Sequence, residues 1–365
     1  MQINAFTKED LKRFQAESLD DKEQRSLAKI GQWYSYWGNE VFVAFSGGKD
    51  STVLAHLCAR WCQIVRATLY LVFINTGLEY PEIRHFVTEY ADYLRKEFGI
   101  NVVLDIERPR MRFDEVIKTY GYPIISKETA KTISAARRLG ESSKYGAVSL
   151  ARLNGTFKQK DGNPSLYNCS KYKPLLNVDF KIASDCCDIM KKKPSHDYIK
   201  RTGRKPIVGQ MAEESRLREQ RWLRYGCNGF DMTSPSSSPI SFWTEQDILQ
   251  YIKENRLPIA SVYGDIIYEV DPEQMRIDLL GTQDKLCTTG CRRTGCIFCA
   301  FGCHLEKEPS RFQQLKITHP RQYEYCIGGG EYNEDGVWQP NKEGLGMGHV
   351  FDVLNKIYGD GFIKY

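Results

Sequence analysis

Val41-Phe42-Val43-Ala44-Phe45-Ser46-Gly47-Gly48-Lys49-Asp50-Ser51-Thr52-Val53-Leu54 is the stretch from which the fold of this chain is read. A short run of β-favouring apolar residues meets Ser-Gly-Gly, and a helical pattern then opens with Val53, Leu54 and Leu57 on one face. The pattern predicts strand, tight turn and helix N-terminus. The first amides of a helix have no internal partner and carry the positive end of the peptide dipoles, so such a turn binds anions. Gly47 and Gly48 let the backbone approach a ligand and reach positive φ without steric cost. Ser46, Ser51 and Thr52 add hydroxyl donors, and Lys49 adds a point charge for phosphate oxygens. Asp50 is an acceptor among donors, suited to capping the helix or to holding Mg²⁺ against phosphates. The Gly-x-x-x-x-Gly-Lys-Ser/Thr spacing of the other common nucleotide loop does not occur. A Ser/Gly turn that merely starts a helix is the plain alternative. Six consecutive phosphate-suited residues after a strand favour the anion site.

Outward from this stretch, Leu11, Phe14, Leu19, Leu27, Ile30, Trp33, Tyr34 and Trp37 give residues 1–40 a helical pattern. Leu69 to Asn75 reads as a buried parallel strand, followed by a helix to about Phe98 and a third strand at Val102–Ile106. Strands alternating with helices predict an α/β fold: an open, mostly parallel twisted sheet with helices on both faces. Ligands then bind at the carboxyl ends of the strands, where Thr76 and Gly77 are candidate ligand contacts. Residues 135–168 are rich in Arg, Lys, Gly and Ser and weakly periodic, a helical excursion or a solvated loop. Pro206–Gly209 reads as a further strand running into a helix start, and Thr244 to Asp247 as a capping box with a structural role. Phe351 opens a closing helix after a glycine-rich stretch.

Ser46-Gly47-Gly48-Lys49-Asp50-Ser51 resembles the pyrophosphatase loop of the N-type ATP pyrophosphatases. That group includes the adenylyl-sulfate and phosphoadenylyl-sulfate (PAPS) reductases and relatives that adenylate or thiolate a substrate. The resemblance implies an adenine nucleotide alpha hydrolase-like sheet that holds ATP and Mg²⁺, with Ser46, Lys49 and Asp50 as the catalytic candidates. The family carries Gly-x-Arg-x-x-Glu-Ser-x-x-Arg further on, and Gly209, Glu214, Ser215 and Arg218 match it as candidate nucleotide contacts. Met211 stands where the family has arginine, a departure that Arg216, Arg218 and Arg221 could offset, because a thioether cannot replace a charged planar donor. Gly121-Tyr122-Pro123 before Ser126-Lys127-Glu128 resembles a substrate-facing segment of the reductases, which makes Lys127 a further candidate. The implied organisation is a helical segment 1–40, the nucleotide domain 41–265, a cysteine-rich region 266–327 and an extension 328–365.

The twelve cysteines are the compositional outlier, and in a cytosolic chain they point to metal or redox use rather than disulfides. Cys58 and Cys62 fall at helical spacing beside Leu54 and Leu57 and read as core; Cys169, Cys227 and Cys326 stand alone. Cys186-Cys187 precedes a Lys-Lys-Lys-Pro run, and Cys287, Cys291, Cys296, Cys299 and Cys303 crowd a later stretch. A Cys-x-x-Cys turn aims two thiolates at one centre and a second pair completes four ligands, as Zn²⁺ or an iron–sulfur cluster requires. The Cys-Cys and distant Cys-x-x-Cys resemble the [4Fe–4S] signature of adenylyl-sulfate reductases, which assigns Cys186, Cys187, Cys296 and Cys299 as ligands. A competing set, Cys287, Cys296, Cys299 and Cys303, is similar in spacing to the iron–sulfur sulfurtransferases of DNA phosphorothioation. The first set is favoured, with zinc at the same residues as the alternative metal.

Net charge of +5 is mild, and no apolar run of membrane-spanning length or N-terminal leader is evident, so a cytoplasmic protein that binds no membrane is expected. Sulfonucleotide reductases use a cysteine in a Glu-Cys-Gly-x-His tail, and no cysteine follows Cys326 here. The expectation is therefore an ATP pyrophosphatase that adenylates an acceptor for sulfur transfer, in DNA phosphorothioation or tRNA thiolation. Candidate partners are an adenine nucleotide, a DNA or tRNA acceptor, a cysteine desulfurase as sulfur donor and a second copy of the chain. The alternatives are a sulfonucleotide reductase of sulfate assimilation and a non-catalytic nucleotide-binding module with structural zinc.

Overall fold

The computed structural model describes residues 5–269 and 285–365, so residues 1–4 of the expected helical segment and 270–284 of the expected cysteine-rich region lie outside it. The chain forms two compact units, each built from several separated segments. The first comprises Met1–Asn75, Glu79–Arg108 and Pro194–Thr294; the second comprises Thr76–Leu78, Pro109–Lys193 and Gly295–Tyr365.

The first unit is built on a six-stranded sheet in the order Val102–Glu107, Leu69–Ile74, Val41–Ala44, Lys205–Val208, Ser236–Ser237, Asn228–Gly229. All neighbours are parallel except the last pair. Val41–Ala44 is central because it is apolar on both faces. Phe42, Val72 and Tyr198 pack together with Ala44, Tyr70, Ile74 and Ile199, so the helix Lys193–Thr202 covers one face. Alternation sends Val41, Val43, Leu69 and Leu71 to the other face, where all four are buried. The register places Val43 beside Leu71 and Ile207, so Val41–Ala44 and Lys205–Val208 end level while Leu69–Ile74 runs two residues further.

The helix Lys49–Val65 follows the central strand and buries Val53, Leu54, Leu57, Cys58 and Cys62, each side chain of Leu size worth about 1.5–3 kcal/mol. Cys58 and Cys62 are core residues, as their spacing predicts. The helix Glu245–Glu254 starts at the expected capping box, with Thr244 Oγ1 and Asp247 Oδ2 each accepting the other residue's N–H. Asp247 also accepts both charge-assisted bonds from buried Lys22, at 2.7 Å each, which ties the helix Leu19–Tyr36 to this helix start.

In the second unit Ile124–Ile125 pairs in parallel with Ala300–Phe301, and Ser126 caps the helix Lys127–Leu139 by accepting the Thr129 N–H. The stretch 135–168 continues through the helix Lys144–Leu153 and then irregular turns. Arg137 in it donates to the carbonyls of Leu176, Val178 and Phe180, so its guanidinium serves the fold. The closing helix is Met347–Tyr358, opening four residues before Phe351 because Gly346, in the left-handed region, breaks the chain there. Among the described residues no helix is long and apolar enough to cross a membrane.

Candidate nucleotide site

The loop between Ala44 and Lys49 belongs to the first unit and leaves the carboxyl end of the central strand. Gly47 sits at φ +73, and a Cβ there would lie 2.9 Å from Ile83 Cγ2 and 3.0 Å from Val87 Cγ2. Only glycine lets the turn bend against the helix Pro81–Phe98. Ser51 Oγ holds the turn closed: it donates to the Gly48 carbonyl (2.9 Å) and accepts the Ser46 N–H (3.2 Å). Gly48 supplies no side-chain cap to the helix it opens, and its own N–H donates to Ser46 Oγ at 3.3 Å. Gly209, after the neighbouring strand, packs so close that a Cβ would lie 3.2 Å from the Asp50 carbonyl group and the Ser51 nitrogen.

Lys49 is buried, 6% exposed, and its Nζ donates to Glu245 Oε1 at 3.2 Å. Its backbone N–H donates to Tyr263 Oη (3.3 Å), which lies 2.5 Å from Thr294 Oγ1. Burial pushes the Tyr263 phenol up to about 12, so it stays protonated at neutral pH. Burial raises the Asp50 carboxyl and Lys49 opposes it, while Glu245 adds to the rise and Arg293 and Arg218 reduce it. Glu213 accepts the Glu245 N–H at 2.6 Å, and its carboxyl too is raised, first by burial. A cavity of about 450 Å³ opens beside Lys49, lined among others by Glu213, Glu245, Cys287 and Arg293.

The predicted residues fall in three places. Ser46, Gly47, Gly48, Lys49 and Asp50 form the turn, whereas Ser51 shapes it and Thr52 is fully buried, its carbonyl accepting from Tyr90 Oη. Gly209 packs on the turn; Glu214 accepts the Met211 N–H and pairs with Arg218, and Ser215 Oγ accepts the Arg218 N–H as a helix cap. Thr76, Gly77 and Lys127 belong to the second unit, where Thr76 Oγ1 accepts the Leu78 N–H. Sequence reading missed Glu245, Tyr263 and Thr294. The capping box at Thr244 marks Glu245 as a first-turn residue, but nothing local relates it to a lysine 196 positions away.

Cys186, Cys187, Cys296 and Cys299 all lie in the second unit. Cys187 accepts from the Cys186 thiol and is also held as thiolate by Lys127 and Lys191, so its pKa is lowered against burial. Cys186 is raised by that same hydrogen bond, by burial and by charge on Cys187, Cys299 and Cys296. The four sulfurs thus share one electrostatic neighbourhood. Among the described residues no three His, Cys, Asp or Glu side chains are arranged to hold a single metal ion. Of the competing set, Cys287 belongs to the first unit and Cys303 to the second, where its thiol donates to the Ala300 carbonyl. Cys326 is fully buried and its thiol is pushed well up by burial alone.

A glycine turn that opens a helix at the carboxyl end of the central strand of a mostly parallel sheet stands where open α/β proteins bind their ligands. Residues 40–181 and again 166–301 match the family model described as the phosphoadenosine phosphosulfate reductase domain, and the chain belongs to that family. It is 32% identical over 108 residues to an uncharacterized protein of Methanocaldococcus jannaschii, which covers 29% of this chain and 20% of that protein. The chain therefore spans about a fifth of that relative's length. It is also similar to the NH3-dependent NAD synthetase of Campylobacter jejuni, solved with a nitrate ion, at 13% identity and a TM-score of 0.30 over 66% of this chain and 75% of that one.

Proposed function

We propose that the chain is an ATP pyrophosphatase that adenylates an acceptor for sulfur transfer. The observation that carries this reading is the glycine turn after the central strand, which opens a helix on buried Lys49, whose ammonium is paired with Glu245. ATP lays its phosphates on residues 46–51. An acceptor oxygen attacks the α-phosphorus, the bond to the bridging oxygen breaks, and pyrophosphate leaves with its charge met by loop amides and Lys49. A sulfur nucleophile then attacks the activated acceptor and AMP departs with the bonding pair. Asp50, crowded by burial and by Glu245, fits a residue that holds Mg²⁺ against the phosphates. Cys186, Cys187, Cys296 and Cys299, which share one electrostatic neighbourhood, are the proposed ligands of a metal centre. A [4Fe–4S] cluster held there would supply electron or sulfide chemistry, and Lys127 and Lys191 would offset its negative charge. DNA and tRNA remain the proposed acceptors, with a cysteine desulfurase as sulfur source.

Pyrophosphate release from ATP, wild type against Lys49→Ala, tests the reading, alongside anaerobic iron and sulfide analysis. Release that needs Lys49 supports it; release of ADP and phosphate refutes it. The family name itself favours a second reading, a sulfonucleotide reductase. That reading predicts sulfite from adenylyl sulfate and a thiol reductant, with no pyrophosphate formed.

A further inference from the structure

Met211, where the resemblance puts an arginine, is a core position here, 3% exposed. The expected substitutes are only partly free to act. Arg221 is spent on the Ser236 carbonyl and the hydroxyls of Ser236 and Ser238, and Arg218 pairs with Glu214. The first unit supplies another cation from a different segment. Thr289–Thr294 runs against the backbone of Val262–Asp265: the N–H groups of Thr289, Gly290 and Cys291 donate to the carbonyls of Asp265, Tyr263 and Val262. A Cβ on Gly290 would lie 2.4 Å from the Val262 oxygen, so the two backbones are in direct contact. At the far end Thr294 Oγ1 meets Tyr263 Oη, the same hydroxyl that takes the Lys49 N–H. The strap is thus pinned to the turn, and it carries both Arg292 and Arg293 to the cavity beside Lys49, whose lining also includes Glu269. Arg292 next to it is paired with Glu269, whereas Arg293 has no ion-pair partner among the described residues. Its charge acts on Asp50, Glu213 and Arg218.

We propose that Arg293 receives the terminal phosphates of a nucleoside triphosphate seated on the turn, and so sorts triphosphates from nucleotides with a single phosphate. This rests on the reading of residues 46–51 as an ATP site. A guanidinium suits the task because its planar fork binds phosphate oxygens in pairs. It stands on the strap that is pinned to the turn, so it meets the pyrophosphate end of ATP together with the loop amides, an end that AMP lacks.

The test is titration of the intact protein with ATP and with AMP. Arg293→Ala is expected to weaken ATP about 10- to 100-fold, the range of a charge-assisted contact, and to leave AMP within about twofold. Arg292→Ala, which removes equal charge one residue away, leaves both nucleotides near wild type. Arg293→Lys recovers part of the loss, since it restores charge without the fork. The proposal is overturned if Arg293→Ala binds ATP as wild type does while Lys49→Ala does not, or if the Arg292 and Arg293 variants lose ATP equally. If wild type and Lys49→Ala bind ATP alike, the loop reading itself fails and the proposal falls with it.

Discussion

Replacing Gly47 by alanine tests the shape of the phosphate turn through two separable costs. Holding an L-residue at φ +73 costs about 1–2 kcal/mol. The new methyl would also stand 2.9 Å from Ile83 Cγ2 and 3.0 Å from Val87 Cγ2. Both side chains are buried on the helix Pro81–Phe98 and cannot swing into solvent, so overpacking adds about 1–3 kcal/mol. The expected loss is about 2–5 kcal/mol in all. Gly77→Ala is the internal control: its φ is +76 but nothing lies within 4 Å of the added methyl, so only the first cost applies. Urea unfolding of the three proteins, read as midpoint shifts at constant slope, gives both numbers. Gly47→Ala should lose clearly more stability than Gly77→Ala, and its ATP affinity should fall because the turn must move. Equal losses in the two variants would refute the packing argument.

Three further outcomes are expected. Burial, then the charge of Arg60, lowers the His56 imidazole to about 4, so the unfolded chain takes up a proton between pH 6.5 and 4 that the folded one refuses. Stability is thus full above pH 6.5 and falls by about 3 kcal/mol toward pH 4, and His56→Gln should flatten that limb in urea unfolding at several pH values. Lys22→Ala leaves Asp247 charged and 13% exposed, still held by Thr244, and should cost about 3 kcal/mol in the same assay; a loss below 1 kcal/mol would show that the pair contributes little. Cys326→Ala should leave nucleotide turnover unchanged, and mass spectrometry should find Cys326 unalkylated in the folded protein; loss of turnover with the fold intact would revive the reductase reading.

The sheet was legible in sequence because its central strands are apolar on both faces, a pattern that survives without any knowledge of partners. The turn was legible because its chemistry is contiguous: donors, glycines and a lysine stand within six residues. What surrounds the turn was not. Glu245, Tyr263 and Thr294 reach it from segments about 200 to 250 residues away, and each has an ordinary local role, in a helix start or a turn. The hydroxyls of Ser51 and Thr52 were read alike, yet one shapes the turn and the other is buried in the helix, a distinction set by helix phase and tertiary packing. The units also exchange chain several times, which a linear reading of composition cannot express.

The central claim is that residues 46–51 grip a nucleotide's phosphates. A crystal structure with an ATP analogue that cannot be cleaved at the α–β bridge tests it most directly. The account predicts phosphate oxygens on the amides of residues 47–51, with Lys49 Nζ moved from Glu245 onto them. An analogue bound elsewhere with the Lys49–Glu245 pair intact, or a turn left empty at saturating analogue, would contradict it.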